Sequence, residues 1–323
     1  MDKTQILKLI SKLENNPLSE AIDSQYTQDL IARLANIDEK RYDKVKELLC
    51  GNEPFNKFKY NQGIAELLVW FFLQNKKIKY EIEVNKNIDN KSDIDVVANL
   101  NDLNYNIEIK SPQYQIQEKD CIQGRLASRT FNKNEAEQIM SEVKTLLKPG
   151  IKNTKYIDIK TQMPADNKIK DCLISAQKKF SGNSLNNINI LFICTTTEEM
   201  MFYLEYLTNF YGQGLLTSNS FYDLKEYDKV FAVILSNAIT LNERKDIDSW
   251  DLSKAINIII PNNFCSYINQ KSFCDVLEFF PNNTKEFYTE FCEFFKKNKD
   301  FPPPLFFIEY VAKRGFNMNK NKS

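Results

Sequence analysis

The sequence predicts an α/β fold in which a mixed sheet is flanked by helices on both faces, and three observations carry that prediction. Apolar spacing is helical up to about residue 75, turns to strict alternation between Ile78 and Lys110, and later mixes both periods. The coarse order helix, strand, strand, strand, helix, strand places helices on both sides of one sheet. A hydrophobic content of 42% over 323 residues supplies a full core, which excludes a mostly disordered chain.

Ile6, Leu9, Ile10 and Leu13 recur at helical spacing, as do Leu30, Ile31, Leu34 and Ile37. Residues 1–55 are therefore expected to form a helical N-terminal region that serves as a packing or dimerisation layer. Asn52-Glu53-Pro54 interrupts the pattern. A helix over about 59–75 carries Ile64, Leu67, Leu68 and Phe71 on one face and Val69, Trp70 and Leu73 on the other, so it is expected to be buried on most sides. Ile78, Tyr80, Ile82 and Val84 then alternate with Lys79, Glu81, Glu83 and Asn85, which predicts a half-buried strand. SDIDVVA (92–98) and NYNIEIK (104–110) are two more alternating runs. Residues 113–165 are polar and partly helical, with strand character only at 155–161. The amphipathic stretch DNKIKDCLISAQKKF (166–180) leads into the apolar strand INILFICTT (188–196). Residues 197–323 read as an α/β extension, with strands KVFAVIL and INIII and a Phe-rich helical end containing Pro302-Pro303-Pro304. The central unit is expected over 56–196.

Composition narrows the chemistry. The chain has no histidine, which excludes His-dependent hydrolases, His-liganded zinc and a His general base. Hydrolysis would have to run on carboxylates, lysines and a hard metal ion. Seven cysteines, odd in number and without a CxxC pair, suit a reducing cytoplasm and not a disulfide framework. The longest apolar run, Leu67 to Leu73, falls well short of the ~20 residues that a membrane span needs. The N-terminus lacks a signal-peptide core, so a soluble cytoplasmic protein is expected. Lys plus Arg and Asp plus Glu both number 43, a balance that excludes a bulk nucleic-acid coat but allows a local basic face.

The chemistry-bearing constellation is the hairpin between SDIDVVA and NYNIEIK. With its turn centred on Asn101-Asp102, Asp95 opposes Glu108 and Asp93 opposes Lys110. Alternation places these four charges on one side and Ile94, Val96, Tyr105, Ile107 and Ile109 on the other. Cross-strand ion pairing on a solvated face accounts for Asp93 with Lys110. It does not account for Asp95 facing Glu108, because like charges directly opposite destabilise a sheet. Two carboxylates so placed suit an oxygen-loving divalent cation.

Asp95 followed by Glu108-Ile109-Lys110 on the next strand resembles the D…(D/E)xK signature of the PD-(D/E)xK nuclease superfamily. Glu66, in GIAELLVWFFL, resembles the helical acid that many of those enzymes carry, and the helix and strand over 166–196 complete their αβββαβ order. The resemblance covers about 60–196, and Ser92-Asp93-Ile94 stands where the superfamily's proline would be. It implies a restriction-endonuclease-like core. It also implies Mg²⁺ (or Mn²⁺) held by Asp95, Glu108 and the main-chain carbonyl of Ile109, with Glu66 completing the shell through water. Lys110 would orient the attacking water and stabilise developing charge. Asp93 is expected as an ion-pair partner or supporting residue. Gln177, in SAQKKF, would face the site or lie on a solvated helix face.

Three decoys bear on this assignment. Glu142-Val143-Lys144 lies in a helical stretch, Asp246-Ile247-Asp248 lacks a following ExK, and Asp158-Ile159-Lys160 lacks a paired aspartate strand upstream. From Lys110 to Phe180 there are 14 Lys/Arg against 8 Asp/Glu, including Arg125, Arg129, Lys133, Lys168, Lys170, Lys178 and Lys179, a bias that suits a phosphate-binding face. The aromatic-rich end, including Phe287, Tyr288, Phe306 and Phe307, reads as core or subunit interface. The resemblance implies a Mg²⁺-dependent DNA endonuclease of restriction or phage-defence type. The alternatives are a structure-specific repair or recombination nuclease and a non-cleaving DNA-binding module with a nuclease-like fold.

Overall fold

A computed structural model describes residues 2–13, 15–50, 55–85, 92–112, 165–181, 186–209, 213–268 and 270–297. Short described pieces lie at 125–126, 138, 141–142, 145 and 160–161. The described strands are β1 (Lys79–Val84), β2 (Ile94–Leu100), β3 (Leu103–Lys110), β4 (Arg125–Leu126), β5 (Lys160–Thr161), β6 (Asn187–Cys194), β7 (Ala232–Ser236) and β8 (Asn257–Pro261). The fold is α/β, built on a six-stranded mixed sheet in the order β1-β2-β3-β6-β7-β8. β1, β2 and β3 form an antiparallel meander, β3, β6 and β7 run parallel, and β8 closes the far edge antiparallel. The sheet thus runs without a break from the expected central unit into the strands of the C-terminal extension.

The β2–β3 register is the one expected from an Asn101-Asp102 turn. Leu100 pairs with Leu103, and the ladder continues to Val96 opposite Ile107. Both turn residues have positive φ, 50° and 64°, as a two-residue hairpin turn of matching twist requires, and Asn and Asp tolerate that conformation better than most side chains.

Helices cover both faces. On one face, Val96, Tyr105, Ile107, Ile109, Ile190, Phe192 and Ile234 pack under α5 (Lys57–Asn75). On the other, Val97, Leu191, Ile193, Val233 and Leu235 pack under α6 (Ala165–Lys179) and α7 (Thr197–Thr208). The N-terminal helices α1 (Lys3–Ile10), α2 (Pro17–Glu20), α3 (Gln25–Leu34) and α4 (Tyr42–Cys50) share the α5 core. That layer is pinned to the C-terminal half by Tyr26, which stacks on Trp250 at 5.0 Å and donates to Asn242 Oδ1 at 2.8 Å. α8 (Ala238–Glu243), α9 (Gln270–Phe279) and α10 (Thr284–Lys297) complete the described helices of the C-terminal half.

α5 is apolar almost all round, which suits a helix enclosed between α4 and the sheet. Its start is capped by Asn56, whose Oδ1 accepts from the amides of Phe58 and Lys59. Gly63 permits the close approach of α4, since a Cβ there would lie 2.1 Å from the Leu48 carbonyl oxygen. The obstacle is backbone and cannot rotate away. Gly63→Ala is therefore expected to destabilise the protein by about 3 kcal/mol, despite the better helix propensity of alanine, as measured by denaturant unfolding.

Strand character at 155–161 is described only at Lys160–Thr161, where β5 pairs parallel with β4 in a separate two-stranded ladder. Asp158 and Ile159 of that rival motif lie outside the described residues, as do Arg129, Lys133, Phe306 and Phe307. Glu142 sits in a helical stretch and accepts from Gln138 Nε2 at 3.2 Å, in keeping with its helical reading. At the aromatic end Phe287 is buried and Tyr288 is exposed. Among the described residues no helix is long and apolar enough to cross a membrane.

Candidate active site

Four elements converge at the carboxyl end of β3. Beyond the Val96–Ile107 pair the β2–β3 ladder ends, and the Asp95 carboxylate turns toward β3, where its Oδ2 accepts from the amide of Ile109 at 2.7 Å. Along β3, alternation puts Asn104, Asn106, Glu108 and Lys110 on the α6 face and Tyr105, Ile107 and Ile109 on the α5 face. Glu108 is 0% exposed. Its Oε1 lies 2.7 Å from Lys110 Nζ and 2.7 Å from Lys179 Nζ, and Lys179 also reaches Asp95 Oδ1 at 3.4 Å. Asp95, Glu108 and Lys110 are thus brought together, with a second lysine bridging the two acids.

From the opposite face α5 presents Gln62 and Glu66, one turn apart in an otherwise apolar stretch. Gln62 Nε2 donates to the Ile109 carbonyl at 2.9 Å and to Glu66 Oε1 at 3.1 Å, while its Oε1 accepts from the Ser111 amide at 2.8 Å. This one side chain fixes the backbone on either side of Lys110 and links Glu66 to it. Lys44 on α4 pairs with Glu83 of β1 at 2.7 Å, and Glu83 holds a positive φ of 53° within its strand.

Several expectations change on this geometry. The charged face of the hairpin is solvated only in part: Asp93 is exposed, Asp95 and Lys110 are part-buried, and Glu108 is fully enclosed. Lys110 pairs with Glu108 on its own strand, not across to the exposed Asp93, because β2 and β3 separate past Val96. Gln177 points away from the acids. It donates to Asp228 Oδ1 at 2.7 Å and accepts from the Lys229 amide at 2.8 Å. The α6 side chain that pairs with the acids is Lys179, counted in the sequence only within a basic bias. Lys170, from the same bias, is 3% exposed and lies over the Tyr222 ring at 5.2 Å, so it offers no charge to a surface ligand.

The ionisation state follows from burial and from mutual charge. Burial raises the Glu108 pKa, the nearby Asp95 carboxylate adds to the rise, and Lys110 and Lys179 oppose it, leaving a net upward shift. For Lys110, burial acts to lower the ammonium pKa, but the Glu108 and Asp95 carboxylates together outweigh it and the net shift is upward. Lys110 therefore stays protonated and suits charge stabilisation, not proton abstraction. Burial, with a contribution from Asp95, pushes Glu66 from 4.5 to about 7, against the pull of Gln62 and Lys44.

The Glu66 shift carries a pH signature. A carboxyl whose folded pKa lies above its unfolded value favours folding fully only below the unfolded pKa, and that advantage is lost as pH rises through the folded one. The chelated protein should therefore lose stability between pH 4.5 and about 7, by about 2 kcal/mol once solvent relaxation around a partly exposed group is allowed for. Glu66→Gln keeps an acceptor for Gln62 and removes the charge. Thermal melts with chelator should show it more stable than the wild type at about pH 8, and matched to it near pH 4.5.

The donor set suits a hard cation. Glu108 Oε2 is buried without a hydrogen-bond donor among the described residues, which makes it a carboxylate oxygen short of a partner. Asp95, Glu108 and the Ile109 carbonyl supply only oxygen, as Mg²⁺ or Mn²⁺ prefers. Among the described residues no group of three or more His, Cys, Asp or Glu side chains is placed to hold a metal. Glu66 is near enough to Asp95 to feel its charge, and Gln62 ties it to the Ile109 carbonyl. A cleft of about 710 Å³ at the turn end of the hairpin is lined by Asp102, Asp275 and Glu278 against Lys271, an acidic excess that makes it a poor seat for a phosphate. No family model, curated protein or solved structure matches the chain.

Proposed function

We propose that the protein is a divalent-metal-dependent endonuclease that hydrolyses phosphodiester bonds in DNA, with a restriction-endonuclease-like core of the PD-(D/E)xK type. The observation that carries this reading is the enclosed Glu108 carboxylate, set beside Asp95 and between two lysines, with one oxygen lacking a donor among the described residues. A buried carboxylate is costly unless a cation compensates it, and a like-charged neighbour raises the cost. A titratable group perturbed by both burial and a specific charged neighbour is a candidate for a reactive centre.

In this reading Asp95, Glu108 and the Ile109 carbonyl hold Mg²⁺ or Mn²⁺, and Glu66 acts through water. The cation supplies Lewis-acid polarisation of the phosphate and a more acidic water. Gln62 keeps the Ile109 carbonyl aimed by holding the peptide groups around Lys110. Lys110, protonated and only 28% exposed, stabilises negative charge on the phosphoryl oxygens as the new bond forms. The 14 Lys/Arg against 8 Asp/Glu between Lys110 and Phe180 favour a polyanionic substrate. A restriction or phage-defence role, with the flanking regions supplying recognition and dimerisation, is the biological form of this proposal.

The test is incubation of plasmid and linear DNA with the purified protein, with Mg²⁺, with Mn²⁺ and with chelator. Nicking or linearisation that needs the metal supports the enzyme. Tight DNA binding without any cleavage would favour the non-cleaving module, and cleavage confined to branched DNA would favour the repair or recombination enzyme.

A further inference from the structure

We infer that Lys179 is a resident counter-cation, a side chain that holds the two carboxylates together until a divalent ion displaces it. The inference rests on the proposed metal site. Lys179 Nζ spans Glu108 Oε1 at 2.7 Å and Asp95 Oδ1 at 3.4 Å, so it bridges the same two acids that a metal would bridge. A divalent ion binding oxygen at about 2.1 Å and an ammonium in contact with the same oxygens would repel each other strongly in an enclosed site. Lys179, paired with both acids, would sit in the cation's own place, whereas Lys110 is paired with Glu108 alone and can remain beside it.

The two lysines on Glu108 differ in freedom. Lys110 stands on β3 two residues from Glu108, within a strand paired to β6 through Lys110 itself, so its base is fixed. Lys179 is the last residue of α6, and its side chain is 17% exposed. A long flexible stem at a helix end can carry the charge outward while its methylenes stay in place. Asp95 and Glu108 would repel each other in a metal-free protein, and Lys179 relieves that repulsion without a metal. The bridge therefore stabilises the apo form and weakens metal binding by the same interaction, which sets a threshold of metal concentration for activity.

The experiment has two arms. In the first, the wild-type protein is acylated with a lysine-reactive reagent with and without saturating Mg²⁺, and modification at Lys179, Lys178 and Lys110 is followed by mass spectrometry. Lys179 should react slowly without metal and several-fold faster with it, while Lys178, exposed beside it and outside the acidic pair, should react at the same rate in both conditions. In the second, Mn²⁺ binding is measured by calorimetry for wild type and Lys179→Met, with melting curves to confirm folding. The variant should melt lower in chelator and bind Mn²⁺ about tenfold tighter. Metal binding with equal affinity in both proteins, or labelling of Lys179 that ignores Mg²⁺ although calorimetry shows the wild type binding a divalent ion, overturns this inference and leaves the metal site standing. No divalent binding by either protein removes the inference and the metal site together.

Discussion

Lys110→Ala should fold and bind DNA nearly as well as the wild type, yet lose about a thousandfold or more in single-turnover cleavage. Removing one preorganised charge that acts on the developing transition state typically costs ~10²–10³, and here the group is the ammonium expected nearest the phosphoryl oxygens. The fold should tolerate the change because Lys179 keeps Glu108 Oε1 paired at 2.7 Å after Lys110 is gone. Lys160→Ala is the control. Lys160 lies in the β4–β5 ladder apart from the main sheet, and cleavage by that variant should match the wild type. Full activity in Lys110→Ala, or a dead Lys160→Ala, would move the chemistry away from β3.

Asp95→Asn and Glu108→Gln should both abolish metal-dependent cleavage but pull stability in opposite directions. An asparagine at 95 can still accept from the Ile109 amide, and it removes the charge that raises both Glu66 and Glu108. In chelator its melting temperature should equal or exceed that of the wild type. The cross-strand repulsion legible in the sequence suggests the same for Glu108→Gln, but the structure reverses that expectation. Glu108 is the common partner of two lysines, and a neutral amide would leave both half-buried ammoniums without their counter-ion. Breaking a buried pair from one side costs ~3–5 kcal/mol, and the lysines' partial exposure reduces this to about 2 kcal/mol. In both variants the Mg²⁺-induced rise in melting temperature should vanish, and the double variant should cleave no worse than either single one. A strongly destabilised Asp95→Asn that keeps its Mg²⁺ shift would make Asp95 structural and end the metal-site reading.

The hairpin is legible in the sequence because its turn admits one register. Asn101-Asp102 sits between two runs of strict alternation, and a one-residue slip would turn Ile107 and Ile109 out of the core. The all-round apolar face of α5 is legible for a similar reason, since only a helix enclosed on both sides is written that way. The rotation of α6 is not. Gln177 and Lys179 are two residues apart, about 200° around a helix, so they face different neighbours, and the local pattern of SAQKKF does not say which one meets the sheet. That depends on how Ile169, Leu173 and Ala176 seat against Leu191 and Ile193, on a strand contributed by a later stretch of the chain. The partner of Lys110 escapes the sequence for a related reason. Cross-strand pairing assumes that the ladder continues, and here β2 and β3 diverge immediately past Val96, before Asp95 is reached. Only the coarser α/β class follows from the order of elements, because the β3-to-β6 parallel pairing spans a long intervening stretch that the periodicity does not resolve.

The pairing of β2 with β3 also constrains how this hairpin can change length over generations. Insert a single residue within the paired stretch of β3, with no bulge to absorb it, and every later position on the strand exchanges faces. Glu108 and Lys110 would then be turned toward the apolar core on the α5 side, while Ile109 took the place beside Asp95. A pair of inserted residues, by contrast, restores the facing at the cost of a longer ribbon. Length changes inside the paired strands should thus come in steps of two or with a bulge, whereas the Asn101-Asp102 turn can lengthen by one residue without moving the acidic pair.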